Sequence, residues 1–376
     1  MTQSPYFTPL MNSLPSTVPF VGPEALERLY GQPFQARIGA NESVFGPSPR
    51  AIEAMQKEAT EVFNYADPEN YELQTKLALF HGIAFDQVMV GEGIDGLFGI
   101  LARLTCSPDT KVVTSLGAYP TFIFQVANTG ASVIRVPYKQ DHEDLQGLLD
   151  AVKQNNARLC YLANPDNPMG TWHKSSAILD MLQNLPETCL LILDEAYCEF
   201  APEEAKIAED FCHPQLLRFR TFSKAHGMAG LRVGYVFGYE NLTMAFNKVR
   251  NHFGLNRMAQ IAAMASLSDH EHQRYVRNNV EHSKQVIAQI ALEQNCQALP
   301  SATNFVAIDL GEDGALSRAM VEALGRRGIF VRMPGVAPLD RCIRVTAGRQ
   351  GDMDILREHF GPALAEAKMS TKGQTT

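Results

Sequence analysis

Apolar positions recur along this chain in short, dense runs. QVMV (87–90), KVVTS (111–115), SVIRV (132–136), RLCYLA (158–163), CLLIL (189–193), LLRFRTF (216–222) and RVGYVF (232–237) are mostly separated by helix-like or polar segments. Runs that are apolar throughout suit strands covered on both faces, and their alternation with helical patterns predicts an α/β fold with a large, mostly parallel seven-stranded sheet. AIEAMQKEATEVF, just before the first run, places its apolar positions on one helical face.

Beyond about residue 270 the rhythm changes. A long polar helix, a strand at 303–310 (TNFVAIDL), a helix, two strands (GIFVRM and CIRVTAG) and a last helix describe a smaller α+β domain. The division expected is residues 1–45 as an N-terminal arm and part of the small domain, 46–268 as the large domain, and 269–376 as the C-terminal small domain. Pro5, Pro9, Pro15, Pro19, Pro23 and Pro33 exclude a long helix at the start and predict an extended arm lying on a neighbouring domain or subunit. The closing KMSTKGQTT has nothing to bury and is expected to fray.

Composition narrows the function. The 376 residues are 45% hydrophobic and 20% charged, an ordinary globular balance. The net charge of −8, with no basic run, argues against a nucleic-acid partner. No apolar run reaches membrane-spanning length, and MTQSPYFTPLMNSLPSTVPF lacks a basic region followed by an apolar core, so the expected location is the cytoplasm. The seven cysteines form no CxxC pair and read as reduced, buried thiols. DHEH at 269–272 reads as a solvated helix start, and no metal is expected.

In open α/β sheets ligands bind at the carboxyl ends of strands, and three predicted strands end in reactive groups. Asn164 and Asn167 follow Ala163; Asp194, Glu195 and Tyr197 follow Leu193; Lys224 follows Phe222. A lysine is ordinarily a solvated surface charge. Here Thr221, Ser223 and Arg232 surround it with anion-binding groups, while Gly227 and Gly230 permit close backbone approach, which describes an anion site built around an amine able to form a Schiff base. A carboxylate such as Asp194 at that depth needs a cationic partner, which a pyridinium nitrogen supplies, and Tyr197 with Asn167 suits a phenolate oxygen on the same ring. The bland alternative for Asp194 and Tyr197 is an ordinary strand-end polar pair.

GEGIDG (91–96) matches the dinucleotide pattern GxGxxG, but the next strand, VVTSLGAY, lacks the acidic residue that would hold a ribose. The better reading is a phosphate cup formed by the Gly93 and Ile94 amides at a helix start. Tyr119 is either a stacking partner for an aromatic ring or a core tyrosine.

GEGIDG, AYPTF, NPDNPMG, LDEAY, TFSKAHGMAGLRVGY and CIRVTAG, in this order and spacing, resemble the class I/II aminotransferases of pyridoxal-phosphate fold type I. Within them the chain is most similar to the histidinol-phosphate aminotransferase branch, over nearly its whole length. The resemblance implies pyridoxal 5'-phosphate held covalently by Lys224, with Asp194 on the pyridine nitrogen, Tyr197 and Asn167 on the phenolate oxygen, and Tyr119 stacked on the ring. Thr221, Ser223, Arg232 and the Gly93 and Ile94 amides would hold the phosphate. Arg344 matches the arginine that clamps the substrate α-carboxylate, and Tyr65 one given across a homodimer to the partner's site.

Where the branch carries a PY pair and a NENP loop, this chain has Pro19 with Phe20, then Asn41, Glu42, Ser43 and Val44. Phe20, Asn41, His173 and Arg332 are the candidate side-chain selectors. The implied reaction moves an amino group from a histidinol phosphate-like or aromatic amine to a 2-oxo acid such as 2-oxoglutarate. A decarboxylase of the threonine-phosphate type shares most of these contacts and is the rival reading. A regulator that kept the fold as a sensor is disfavoured, because the first 35 or so residues are too few and too proline-rich for a DNA-binding domain.

Overall fold

The structure, a computed structural model, describes residues 4–16 and 21–372. Its strands in chain order are β1 (Ala36–Arg37), β2 (Val88–Gly91), β3 (Lys111–Ser115), β4 (Ser132–Val136), β5 (Leu159–Ala163), β6 (Leu190–Asp194), β7 (Leu216–Thr221), β8 (Gly234–Gly238), β9 (Gln297–Ala298), β10 (Phe305–Asp309), β11 (Ile329–Phe330) and β12 (Cys342–Thr346). β2 to β8 form one seven-stranded sheet in the order β2-β8-β7-β6-β5-β3-β4. Only β8 runs against the rest, being antiparallel to both β2 and β7.

Side-chain alternation decides which face each strand residue serves. On β5, Leu159 and Tyr161 pack with Leu97, Phe98 and Phe122 from the helices Gly93–Thr105 and Pro120–Ala127. Cys160 and Leu162 face the opposite core, with Leu148 and Val152 of Leu145–Asn155 and Ile178 of Ser175–Gln183. On β6 Ile192 joins the first core, while Leu191 and Leu193 join the second. Asp194, two residues after Ile192, therefore emerges on the face of Tyr161, where the two side chains meet.

A third core gathers Val306, Ile308, Ile343 and Val345 of the antiparallel sheet β12-β10-β9 with the helices Gly314–Arg326 and Gln350–Lys372. β1 pairs in parallel with β11 beside this core. β1, β9 and the short extent of β11 are not visible in the hydrophobic pattern, because two-residue strands carry too little alternation to read. The 24-residue helix His270–Glu293 sends Ile287 and Ile290 into the third core and packs Val276 and Val280 against Ala347. Asp269, of the DHEH cluster, caps this helix by accepting from the His272 amide.

Two expectations change. The proline-rich start is not wholly extended: Pro9 and Pro23 each open a short helix, Pro9–Ser13 and Pro23–Tyr30, where a missing N–H costs no hydrogen bond. The last helix continues to Lys372, with Leu364 and Ala367 buried along it; residues 373–376 lie outside the described residues.

Candidate active site

The carboxyl ends of β5, β6 and β7 open on one cavity of about 570 Å³, lined among others by Asn167, Asp194, Tyr197, Thr221, Ser223 and Lys224. The parallel strands place these ends on a common rim, and the C-terminal region closes the other side with Arg332 and Arg344.

At the base of the cavity Asp194 Oδ2 accepts from Tyr161 Oη at 2.7 Å and Oδ1 from the Ala196 amide at 3.0 Å. Burial nonetheless pushes its carboxyl up to about 6. A carboxyl so placed ionises readily only when a cation comes to it. Lys224, in the turn after β7, donates from Nζ to the Asn41 carbonyl at 3.1 Å, and Nζ lies 5.6 Å from the Tyr197 ring centroid. Burial, reinforced by the nearby Arg344 guanidinium, lowers its ammonium to about 8. The amine is thus poised near neutrality, as nucleophilic and proton-transfer lysines must be.

Tyr197 Oη accepts from Asn41 Nδ2 at 2.9 Å and from Asn167 Nδ2 at 3.5 Å, and burial lifts the phenol to about 12. Asn167 Oδ1 in turn accepts from Arg344 Nη1 at 2.5 Å. Among the described residues Arg344 Nε is buried without a hydrogen-bond partner, a deficit of about 1–3 kcal/mol that an anionic ligand would remove. Burial brings the Arg344 guanidinium down to about 10.

On the opposite wall Gly93 opens a 13-residue helix with φ +72°. A Cβ there would sit 2.6 Å from Arg232 Nη2, so only glycine leaves this close approach open. Arg232, itself left-handed at φ 53°, reaches Ser223 Oγ at 3.4 Å and Asp95 Oδ2 at 3.3 Å. Thr221 Oγ1 donates to Ser223 Oγ at 2.9 Å. Amides at a helix start, two hydroxyls and a guanidinium make a donor set suited to a phosphate monoester. Tyr119 donates to Asp95 Oδ1 at 3.2 Å and lines the cavity; burial, with the Asp95 charge, raises its phenol. β2, which leads into GEGIDG, is an edge strand beside the antiparallel β8, unlike the central strand of a dinucleotide site.

Not every predicted residue comes to this cavity. Glu195 turns away and lies between Arg218 and Arg220, at 2.9 Å from each. His173 does not line this cavity: its Nε2 bonds the Glu143 carbonyl at 2.8 Å. Tyr65 is 79% exposed, packs on Phe253 with ring centroids 4.6 Å apart, and does not line this chain's own cavity. Phe20 lies outside the described residues. Tyr161 and Asp95 went unrecognised in the sequence. Tyr161 sits inside an apolar run, and only its period-two alignment with the strand end hinted that it faces Asp194.

The family model for aminotransferase class I and II matches residues 35–360. The chain belongs to this family. It is a pyridoxal-phosphate-dependent aminotransferase of fold type I. It is 33% identical over 344 residues to histidinol-phosphate aminotransferase 2 of Carboxydothermus hydrogenoformans, spanning 90% of this chain and 93% of that one. Histidinol-phosphate aminotransferase 1 of Nitrosococcus oceani is 36% identical over 87% of this chain and 88% of its own. Among solved structures, the histidinol-phosphate aminotransferase of Sinorhizobium meliloti in complex with pyridoxal-5'-phosphate matches with a TM-score of 0.93 and 48% identity over 96% of this chain and 98% of that one. The L-threonine-O-3-phosphate decarboxylase of Porphyromonas gingivalis, at 19% identity and a TM-score of 0.74, shares the fold alone, so the decarboxylase reading has the weaker support.

Proposed function

We propose that this aminotransferase takes histidinol phosphate as amino donor and 2-oxoglutarate as acceptor. The observation that carries this reading is the pair of guanidiniums, Arg332 and Arg344, lining one cavity with Lys224. Similarity to the histidinol-phosphate aminotransferases named above supports it. Arg344 offers each substrate's anionic end, phosphate or carboxylate, the donor its unpartnered Nε keeps available.

The assigned cofactor roles fit the donor set. Thr221, Ser223, Arg232 and the Gly93 and Ile94 amides hold the phosphate, Asp194 the ring nitrogen, Tyr197 and Asn167 the ring oxygen, and Tyr119 the ring face. When bound, the cofactor supplies a carbonyl carbon that captures the substrate amine and a ring that takes up the electron pair released at Cα. Lys224 Nζ would hold the cofactor and, once released by the substrate amine, would take up the Cα proton and give it back, a task suited to an amine held near 8. Asp194 keeps its negative charge opposite the ring nitrogen while Tyr161 and the Ala196 amide fix its orientation. Asn41 positions both groups, donating to Tyr197 and accepting from Lys224.

The acting unit in this reading is a homodimer in the cytoplasm, with Tyr65 completing the partner's phosphate site. Tyr65 lies in an exposed apolar patch with Val62, Phe63 and Phe253, the kind of surface a second copy covers. All seven cysteines are unpaired, which suits a reducing compartment. Residues 46–268 carry the cofactor, and 1–45 with 269–376 supply the substrate arginines and the arm. The test is a donor screen against 2-oxoglutarate with histidinol phosphate, phenylalanine and tyrosine, alongside Lys224→Ala. Glutamate formation with histidinol phosphate, highest kcat/KM for that donor, and no visible absorbance from lysine-bound cofactor in the variant are expected. Preference for another donor overturns the substrate assignment; carbon dioxide release without glutamate favours decarboxylation.

A further inference from the structure

A second cavity, also about 570 Å³, lies behind the active site. The segment Cys198–Glu209, the side chains of Arg220, His226 and Tyr235, and the first half of the helix His270–Glu293 enclose it. That volume is ample for a small metabolite.

Four carboxyl and four cationic side chains, histidine aside, line this cavity. Three pairs cancel locally: Lys206 with Glu203 at 2.6 Å, Lys284 with Glu281 at 2.8 Å, and Arg220 with Glu209 at 2.9 Å. One acid and one base are left over, Glu199 and Arg277. Among the described residues Glu199 makes no ion pair and its Oε2 is buried without a hydrogen-bond partner; burial, only partly offset by the Arg220 guanidinium nearby, pushes its carboxyl up to about 7. The Arg277 guanidinium makes no hydrogen bond or ion pair to any described residue. His226, only 6% exposed, uses Nδ1 on Ser266 Oγ at 2.7 Å, leaving Nε2 as its remaining polar atom.

A lining that is electrically balanced, yet keeps one unmatched group of each sign, suits a ligand that is neutral overall and carries one charge of each sign. We propose that this cavity binds a free amino acid as its zwitterion, the ammonium on Glu199 and the carboxylate on Arg277. Other small ligands fit less well: an anion alone leaves the buried Glu199 Oε2 without a hydrogen-bond partner, and a cation alone leaves the partly exposed Arg277 guanidinium unmatched. The site touches the catalytic segments directly, since Cys198 follows Tyr197 and His226 lies two residues after Lys224. It also joins the helix that enters the C-terminal core to the large sheet, so occupancy would stiffen the contact between the two. The inference stands apart from the identity of the amino donor.

The experiment is calorimetric titration of holoenzyme in which borohydride has reduced the linkage between Lys224 and the cofactor, closing that site to amines. The common L-amino acids are the probes, one at a time at millimolar concentration. At least one is expected to bind, with affinity reduced about tenfold or more in both Glu199→Gln and Arg277→Gln and unchanged in Arg344→Ala. Arg277 is a partly exposed helix residue, so its variant should fold even if the Glu199 variant does not. Absence of binding by every probe, binding undiminished in folded Glu199 and Arg277 variants, or binding lost only in Arg344→Ala overturns the proposal.

Discussion

Replacing Asp194 with Asn gives the most quantitative test of the site's electrostatics. The side chain is 5% exposed, and its carboxyl is raised from 3.8 to about 6. A group whose folded pKa lies above its unfolded one contributes stability that is complete below the unfolded value and disappears as pH rises through the folded value. Here the window runs from about pH 3.8 to about pH 6, and the full contribution is about 3 kcal/mol, from roughly 2.2 pH units at about 1.36 kcal/mol each. Between pH 5 and pH 7.5 about 1.4 kcal/mol of it should be lost. Asn cannot titrate, so urea unfolding of cofactor-free wild type and Asp194→Asn should show a stability difference that shifts by that amount in favour of the variant as pH rises. Fixed costs of the amide, including an Nδ2 that now faces the Tyr161 hydroxyl, cancel in the comparison across pH. Cofactor loading should abolish the effect in wild type, because a cation then faces the carboxylate. A difference that stays flat across the window in the cofactor-free proteins would refute the assignment of an uncompensated buried carboxyl at the cavity base.

Other expectations follow from the same geometry. Gly93→Ala puts a methyl 2.6 Å from Arg232 Nη2 on a backbone at φ +72°, so cofactor affinity by equilibrium dialysis should fall about tenfold or more, with the apo fold retained by circular dichroism. Arg344→Ala should lower kcat/KM by about 10²–10³, from loss of a buried charge-assisted pair of about 3–4 kcal/mol, while the visible spectrum of bound cofactor stays. Mixing inactive Tyr65→Ala with inactive Lys224→Ala should restore part of the activity, since a hybrid dimer holds one complete site; no recovery after subunit exchange would argue against a shared site.

Much of the site was legible because its groups fall at strand ends, where local pattern and chemistry coincide. Lys224, Asp194, Tyr197 and Asn167 each follow an apolar run within a few residues, and parallel strands must bring such ends to one rim. Tyr161 was not legible, because its hydroxyl matters only through the cross-strand register of β5 against β6, which aligns Ala163 with Asp194. His173 lies away from the cavity for the converse reason: the turn after Asn167 carries its ring to the Glu143 carbonyl. The two helices of the arm were hidden because a proline breaks a helix interior yet starts a helix well.

What the sequence determined by itself is the sheet, its mostly parallel sense, and the reactive groups at its rim, since alternation and strand-end chemistry are properties of neighbours along the chain. Only the tertiary structure decided what lies between distant segments. It brought Asn41 to Tyr197 and Lys224, set Arg232 against Gly93, and left Glu199 and Arg277 unmatched in a second cavity. Charge balance and burial depend on everything that surrounds a side chain, and most of that surrounding is remote in sequence.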